Sequence, residues 1–337
     1  MGLRDELRTK WVQAATTAAG GSEWRAVLMS ISAPVRIAAG VREPDGRVAL
    51  LFEAALEHAP ARILRLQADG ISLADQRRQE EGIFRLAVVL EHESLREVFE
   101  VLAEDLIDVT GRAVGAQPAI SAVVRRLEAW QACLRARRQR LSREHQIGLM
   151  GELVICRMVA EEIGHAAAIE SWLGPLDGIH DFSRSGVAVE VKSILGIGSH
   201  LRISHLDQLR TEGIAGLAIA RLRFSETPDG NSLADEVAAM RGLLDREAPQ
   251  VRAEFDDRML RAGYLDFRRE DDDVVRAALQ DLCGYEVREG FPRLTSALVP
   301  HGIVDANYSV DEHVLAPFMM DREAIRAFIG GMRGRSA

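Results

Sequence analysis

The chemistry this chain could perform is concentrated in one predicted strand, Val187-Ala188-Val189-Glu190-Val191-Lys192. Lys192 is one of two lysines; Lys10 is the other, and the rest of the 42 Lys and Arg residues are arginine. The two cations are nearly interchangeable on a solvated surface. A retained lysine therefore marks a place for a compact ammonium whose pKa can shift, which planar guanidinium cannot replace. Side chains alternate along a strand, so Val187, Val189 and Val191 share one face and Ala188, Glu190 and Lys192 the other, with the last two about 6.6 Å apart at Cα. Asp181, nine residues before Glu190, begins the neighbouring strand of a predicted hairpin and can come alongside it. Two convergent carboxylates suit a hard cation such as Mg²⁺ or Mn²⁺, which takes few protein ligands and keeps waters for a phosphate. Such a cation polarises a phosphoryl oxygen and acidifies a bound water, which Lys192 orients or deprotonates. The plainer alternative is an exposed strand bearing a Glu/Lys salt pair; the scarcity of lysine and the upstream Asp weigh against it.

Glu152 adds an independent signal. On a helix it shares its face with Gly148, Leu149, Ile155, Cys156 and, a turn further, Val159. A carboxylate aimed into that apolar stripe is costly unless paired or metal-bound; the alternative is a boundary position from which it snorkels. Asp177 rivals Asp181 for the first acidic role, since it lies in the loop before the same strand. Gln208 can face the site or be an ordinary surface residue. His145, His165, His180, His200 and His205 lack the spacing of zinc ligands. Glu270-Asp271-Asp272-Asp273 reads as an acidic helix start, and Gly196 and Gly198 form no phosphate-binding motif, so no nucleotide cofactor is expected.

The elements that must position these residues follow from period and punctuation. Ser142 can cap a helix ending at Ile163 before Gly164. Strands are expected at Ile169 to Trp172, from Asp181-Phe182, at Val187 to Ile194 and at Gly216 to Phe224, with a turn at Ser183 to Gly186. Ser204-His205-Leu206-Asp207 resembles a capping box that opens a helix through Arg210. Upstream, a helix from Leu3 to Ala18 precedes the hairpin Val35 to Phe52, turned at Pro44-Asp45-Gly46; strands at Ile63 to Gln67 and Ile83 to Leu90 and a helix from Ser94 to Thr110 follow. A helix from Ala119 to Arg138 leads into the centre. Downstream, helices are expected at Ser232 to Leu244, Val251 to Leu260 and Val274 to Leu282. Then come a β-like stretch from Tyr285 to Ser309, a helix from Asp321 to Phe328 and a disordered tail from Gly330.

A net charge of −9 argues at first against a nucleic-acid partner. Locally the balance reverses: residues 121–145 hold Arg125, Arg126, Arg135, Arg137, Arg138, Arg140 and Arg143 against Glu128 and Glu144. Such a stripe can hold a polyanion whatever the global sum; a solvated helix face is the bland alternative. Cys133, Cys156 and Cys283 form an odd set without paired spacing, so neither disulfides nor a thiolate zinc site is expected. No apolar run approaches a membrane span and no secretory leader is visible, so a cytoplasmic protein without a membrane partner is expected.

The helix bearing Gly151-Glu152-Leu153, then Trp172-Leu173-Gly174-Pro175, His180-Asp181-Phe182, Val189-Glu190-Val191-Lys192-Ser193 and Leu206-Asp207-Gln208-Leu209, resembles the PD-(D/E)xK nuclease superfamily. It is similar to a bacterial branch of PD-(D/E)xK-motif proteins that tends to be encoded near ATPases and phage-defence genes. The motifs cover residues 148–224, and His180 stands where the family pattern often has Pro. The resemblance implies an α/β fold with a restriction-endonuclease-like mixed sheet flanked by helices. It also implies divalent-metal hydrolysis of DNA phosphodiester bonds. Asp181, Glu190 and the Val191 carbonyl would be metal ligands, Lys192 the catalytic lysine and Glu152 a supporting or second-metal carboxylate. The expected layout is an N-terminal α+β domain (1–117), the nuclease core (118–225) and a C-terminal α-rich domain (226–337). Gln208, Arg135, Arg137, Arg138 and Arg140 are candidate DNA contacts. An ATPase or other defence-system protein is a candidate partner, and a homodimer is open. The rival from another class is a non-cleaving, nucleic-acid-binding or interaction subunit with a nuclease-like fold; RNA as substrate is a further alternative.

Overall fold

A computed structural model describes residues 2–18, 23–61, 70–136, 141–266 and 274–334, with side chains omitted at 134–136. The expected strand Ile63 to Gln67, the acidic run Glu270 to Asp273 and the arginines Arg137, Arg138 and Arg140 fall outside the described residues, as does the Arg135 side chain. The residues gather into two compact units, Met1–Arg138 and Gln139–Ala337. The sequence suggested boundaries near 117 and 225 instead. The helix after residue 115 clusters with the N-terminal unit, and residues beyond 225 complete the central sheet.

The first unit holds α1 (Leu3–Thr16), β1 (Trp24–Leu28), β2 (Arg36–Arg42), β3 (Val48–Ala55), β4 (Ile71–Arg78), β5 (Ile83–Leu90), α2 (Arg96–Gly111) and α3 (Ala116–Ala136). Its antiparallel sheet runs β1-β2-β3-β5-β4. Leu7, Phe52, Phe84, Phe99 and Leu102 are fully buried, and the Trp11 indole donates to the Ala49 carbonyl at 2.8 Å. The 42–47 turn is tied by Arg42 and Arg47 to Asp45 and Glu91. Arg126, expected in the basic stripe, is instead buried and paired to Asp105 at 2.6 Å, where the Trp130 indole also donates. A structural ion pair has taken that member.

The second unit comprises α4 (Arg143–Ile163), α5 (His165–Ser171), β6 (Phe182–Arg184), β7 (Val187–Leu195), β8 (His200–Ile203), β9 (Gly216–Ser232), α6 (Leu233–Glu247), α7 (Pro249–Arg261), β10 (Arg276–Glu286), β11 (Tyr308–Asp311), β12 (Met319–Met320) and α8 (Arg322–Gly330). The mixed sheet runs β12-β10-β9-β7-β6, parallel at β7–β9 and antiparallel elsewhere. Val189 and Val191 of β7 join Ala218, Ala220 and Leu222 of β9 in the core beneath α4, α6 and α8. The opposite face, with Ala188, Leu217 and Ile219, is covered by the β8–β11 ribbon through Leu201, Ile203 and Val310. β7 thus lies inside the sheet between β9 and the edge strand β6, its valines under helices and its Glu190–Lys192 face under the ribbon.

Local chemistry explains the elements nearest the site. Ser142 caps α4 by accepting from the His145 N–H at 3.2 Å, and Gly164 (φ 90°) ends it. Ser185 and Gly186, both at positive φ, turn β6 into β7. Four expectations are corrected. Residues 169–172 belong to α5 and its end, with Trp172 bridging Phe182; the Ala run favours helix. Residues 274–282 form most of β10, because pairing with β9 along its length overrides helical patterning. The helix through Arg210 is only a 3-10 turn, Leu206–Leu209, without a capping box. Its Leu206 N–H is met by Asp305 from far along the chain, at 3.1 Å. Between β10 and β11 the expected β-like stretch is irregular. Among the described residues, no helix is long and apolar enough to cross a membrane.

Candidate active site

Asp181 stands just before β6, where that strand parts from β7. Its Oδ2 accepts the Val191 N–H at 2.7 Å, while its main-chain carbonyl accepts from Leu173 and Gly174 at 2.7 and 3.1 Å. Asp181 is therefore clasped from both sides. Asp177, its rival, is exposed in a left-handed conformation four residues earlier, and Asp181 is the acid that reaches β7.

Glu190 and Lys192 share one face of β7, as alternation requires. Lys192 Nζ donates to Glu190 Oε1 at 2.8 Å; their side chains are 14% and 4% exposed. Gln208 faces this pair. Its Nε2 donates to Glu190 Oε1 at 2.9 Å, and its Oε1 accepts from the Ser204 N–H at 2.7 Å and from Lys192 at 3.5 Å. Across the sheet, Arg221 is the register partner of Lys192 and is engaged by Asp281 at 2.6 Å and Glu312 at 3.5 Å.

Glu152 comes from the sheet-facing side of α4. The residue keeps some accessible surface, yet its carboxyl sits deep enough for burial to be the first cause of its pKa rising well above the ordinary value, with the Asp181 charge second. Burial and the Asp181 charge likewise push Glu190 up, to about 8, against the lowering pull of Lys192. Asp181 is raised by burial and held back by the Val191 N–H and Lys192. Three carboxyls thus each resist ionisation, two of them through a neighbouring carboxylate, and a nearby positive charge would relieve that cost.

The fit to a metal has a definite form. Among the described residues, no three or more His, Cys, Asp or Glu side chains are grouped to hold a metal ion. A divalent cation here would have Asp181 and Glu190 as side-chain ligands and would draw its remaining donors from main-chain oxygen and water.

Two neighbours escaped the sequence reading. Trp172, fully buried, donates its indole N–H to Glu152 Oε2 at 2.7 Å. Gly174 presses on the acids: a Cβ there would lie 2.9 Å from both Asp181 Oδ1 and Glu152 Oε2. The signal was the Trp172-Leu173-Gly174-Pro175 run, whose meaning depends on α5 delivering it to α4. His180 is buried, its Nε2 without a partner; burial lowers its pKa, opposed by a main-chain hydrogen bond at Gln208. Arg143, at the near end of the expected stripe, pairs with Glu226 at 2.7 Å.

Residues 7–312 match the model of the DUF4420 family, described as "Putative PD-(D/E)XK family member". The chain belongs to this family, which gives it a nuclease-like fold. No curated protein and no solved structure matches it.

Proposed function

We propose that this chain is a divalent-metal-dependent endonuclease that hydrolyses DNA phosphodiester bonds. The observation that carries the proposal is the meeting of Asp181, Glu190 and Lys192 at the edge where β6 leaves β7, with Glu152 beside them. Asp181 and Glu190 would hold the cation, Mg²⁺ or Mn²⁺. The Val191 carbonyl would join them, since within a strand a residue's N–H and C=O point the same way and the Val191 N–H points at Asp181. The bound cation would supply Lewis-acid polarisation and an acidified water. Lys192 places an ammonium within 2.8 Å of Glu190, where it can orient the attacking water and steady charge on the phosphate. Gln208 holds Glu190 and Lys192 in one geometry and closes the ribbon side of the site. Glu152 serves as the supporting carboxylate.

The flanking residues would then select DNA or dock a partner. The arginines Arg135, Arg137, Arg138 and Arg140 are the proposed track for the backbone. A place in a bacterial anti-phage or restriction-type system, with an ATPase as partner, follows from the branch that the motifs resemble. The rival is a non-cleaving binding subunit, whose expected mark is a missing acid or lysine; all three are here. Supercoiled plasmid incubated with wild type and Asp181→Asn, with Mg²⁺ or EDTA, tests the proposal. Nicking by wild type alone, and only with metal, is expected. Equal nicking by Asp181→Asn would overturn the assignment, and preferential cutting of RNA would move the substrate class.

A further inference from the structure

Beneath the acids lies a wall that the acid–acid–lysine pattern does not include. Trp172 ends α5 with its ring fully buried, lying 6.4 Å from Phe182 at an interplanar angle of 13° and 6.1 Å from Phe255. Its carbonyl accepts from the buried Arg258 guanidinium at 2.7 Å, so its backbone is anchored as well as its ring. From this fixed seat the indole N–H reaches Glu152 Oε2 at 2.7 Å. Two residues on, Gly174 donates its N–H to the Asp181 carbonyl, and its missing side chain leaves the space where Asp181 Oδ1 and Glu152 Oε2 converge. Glu152 comes from α4 and Asp181 from the start of β6; one three-residue segment touches both.

We propose that Trp172 and Gly174 are positioning residues of the metal centre. The indole fixes the rotamer of Glu152, and Gly174 sets the separation between Glu152 and Asp181. The inference rests on the proposed nuclease reading for its activity readout. A carboxylate that spends one oxygen on an indole N–H presents the other in a defined direction, and such outer partners typically govern metal affinity or rate by 10–100-fold. Trp172→Phe keeps an aromatic ring between Phe182 and Phe255 and removes only the donor and part of the ring. Gly174→Ala is free of backbone strain, because this glycine does not sit at positive φ, and places a methyl against both acids.

The test is a double-mutant cycle on the full chain with Trp172→Phe, Glu152→Ala and the pair, measuring plasmid cleavage and the Mg²⁺ concentration that half-maximally raises the melting temperature. Trp172→Phe should lower kcat and raise the Mg²⁺ midpoint about 10–100-fold with KM for DNA unchanged, and should add nothing once Glu152 is Ala. Gly174→Ala should raise the midpoint similarly. The indole N–H resonance absent from the Trp172→Phe spectrum should move when Mg²⁺ is added to wild type. Additive losses in the double mutant would make Trp172 merely structural and overturn its role. A Gly174→Ala protein with the wild-type midpoint would overturn the spacing role even if Trp172→Phe failed to fold. Wild type that binds Mg²⁺ but cuts nothing removes the nuclease reading and leaves the midpoints to decide this one. Wild type blind to Mg²⁺ overturns both.

Discussion

An ammonium and a guanidinium part company at position 192, because only the former combines compactness with an accessible proton exchange. Lys192→Arg should fold, yet cut supercoiled plasmid at least ~100-fold more slowly, the scale of one lost general acid–base group. Wild-type rates would remove Lys192 from the chemistry. The acids beside it make a second statement through pH. A carboxyl raised from ~4.3 when unfolded to about 8 when folded stabilises fully below the lower value and loses that contribution as pH rises through the higher one. The melting temperature of metal-free protein should therefore fall between about pH 5 and 8, and Glu190→Gln should flatten the fall. On the proposed reading Mg²⁺ would bind the ionised acids of the folded state only, so its stabilising shift should be larger at pH 8 than at pH 6. A shift independent of pH, or one retained in Asp181→Asn, would put the metal elsewhere.

Among the elements, α4 and β7 must touch closely for Glu152 to reach the acids, and Gly151 permits it. A methyl built on Gly151 overlaps Ser193 Oγ and lies tight against Ser193 Cβ. Gly151→Ala should destabilise by about 1–3 kcal/mol through overpacking in urea titration. Ser193→Ala should recover part of the loss, since the Ser193 hydroxyl is buried without a partner. No recovery would mean that the helix shifts rather than the serine. Much at this scale was legible. The Ser142 cap, the Gly164 stop and the alternation that pairs Glu190 with Lys192 are local signals, and they placed the two acids and the lysine. Other features were not, because their causes lie far along the chain. β10 carries a helix-compatible pattern and becomes a strand on meeting β9. The 206–209 turn takes its cap from Asp305. Trp172, read as strand, takes its role from a carboxylate twenty residues upstream on another element.

For the molecule as a whole, the proposed function requires a chain of net charge −9 to hold a polyanion through local charge. Each arginine on a phosphate contributes about 0.9 to the log–log salt slope of binding. Replacing Arg135, Arg137, Arg138 and Arg140 with Gln should weaken DNA binding at low salt and flatten that slope, leaving the Mg²⁺ midpoint alone. Unchanged affinity with a lower melting temperature would assign these residues to structure, as Arg126 already is. The two lysines carry a last consequence. Lys10 lies on α1 of the first compact unit, and Lys192 on β7, an interior strand of the second. A lysine-specific endoprotease has these two places to cut, each inside regular structure. Cleavage at Lys192 requires β7 to leave its sheet, and cleavage at Lys10 requires α1 to unwind. Band by band on a gel, one protease clocks the opening of each unit separately.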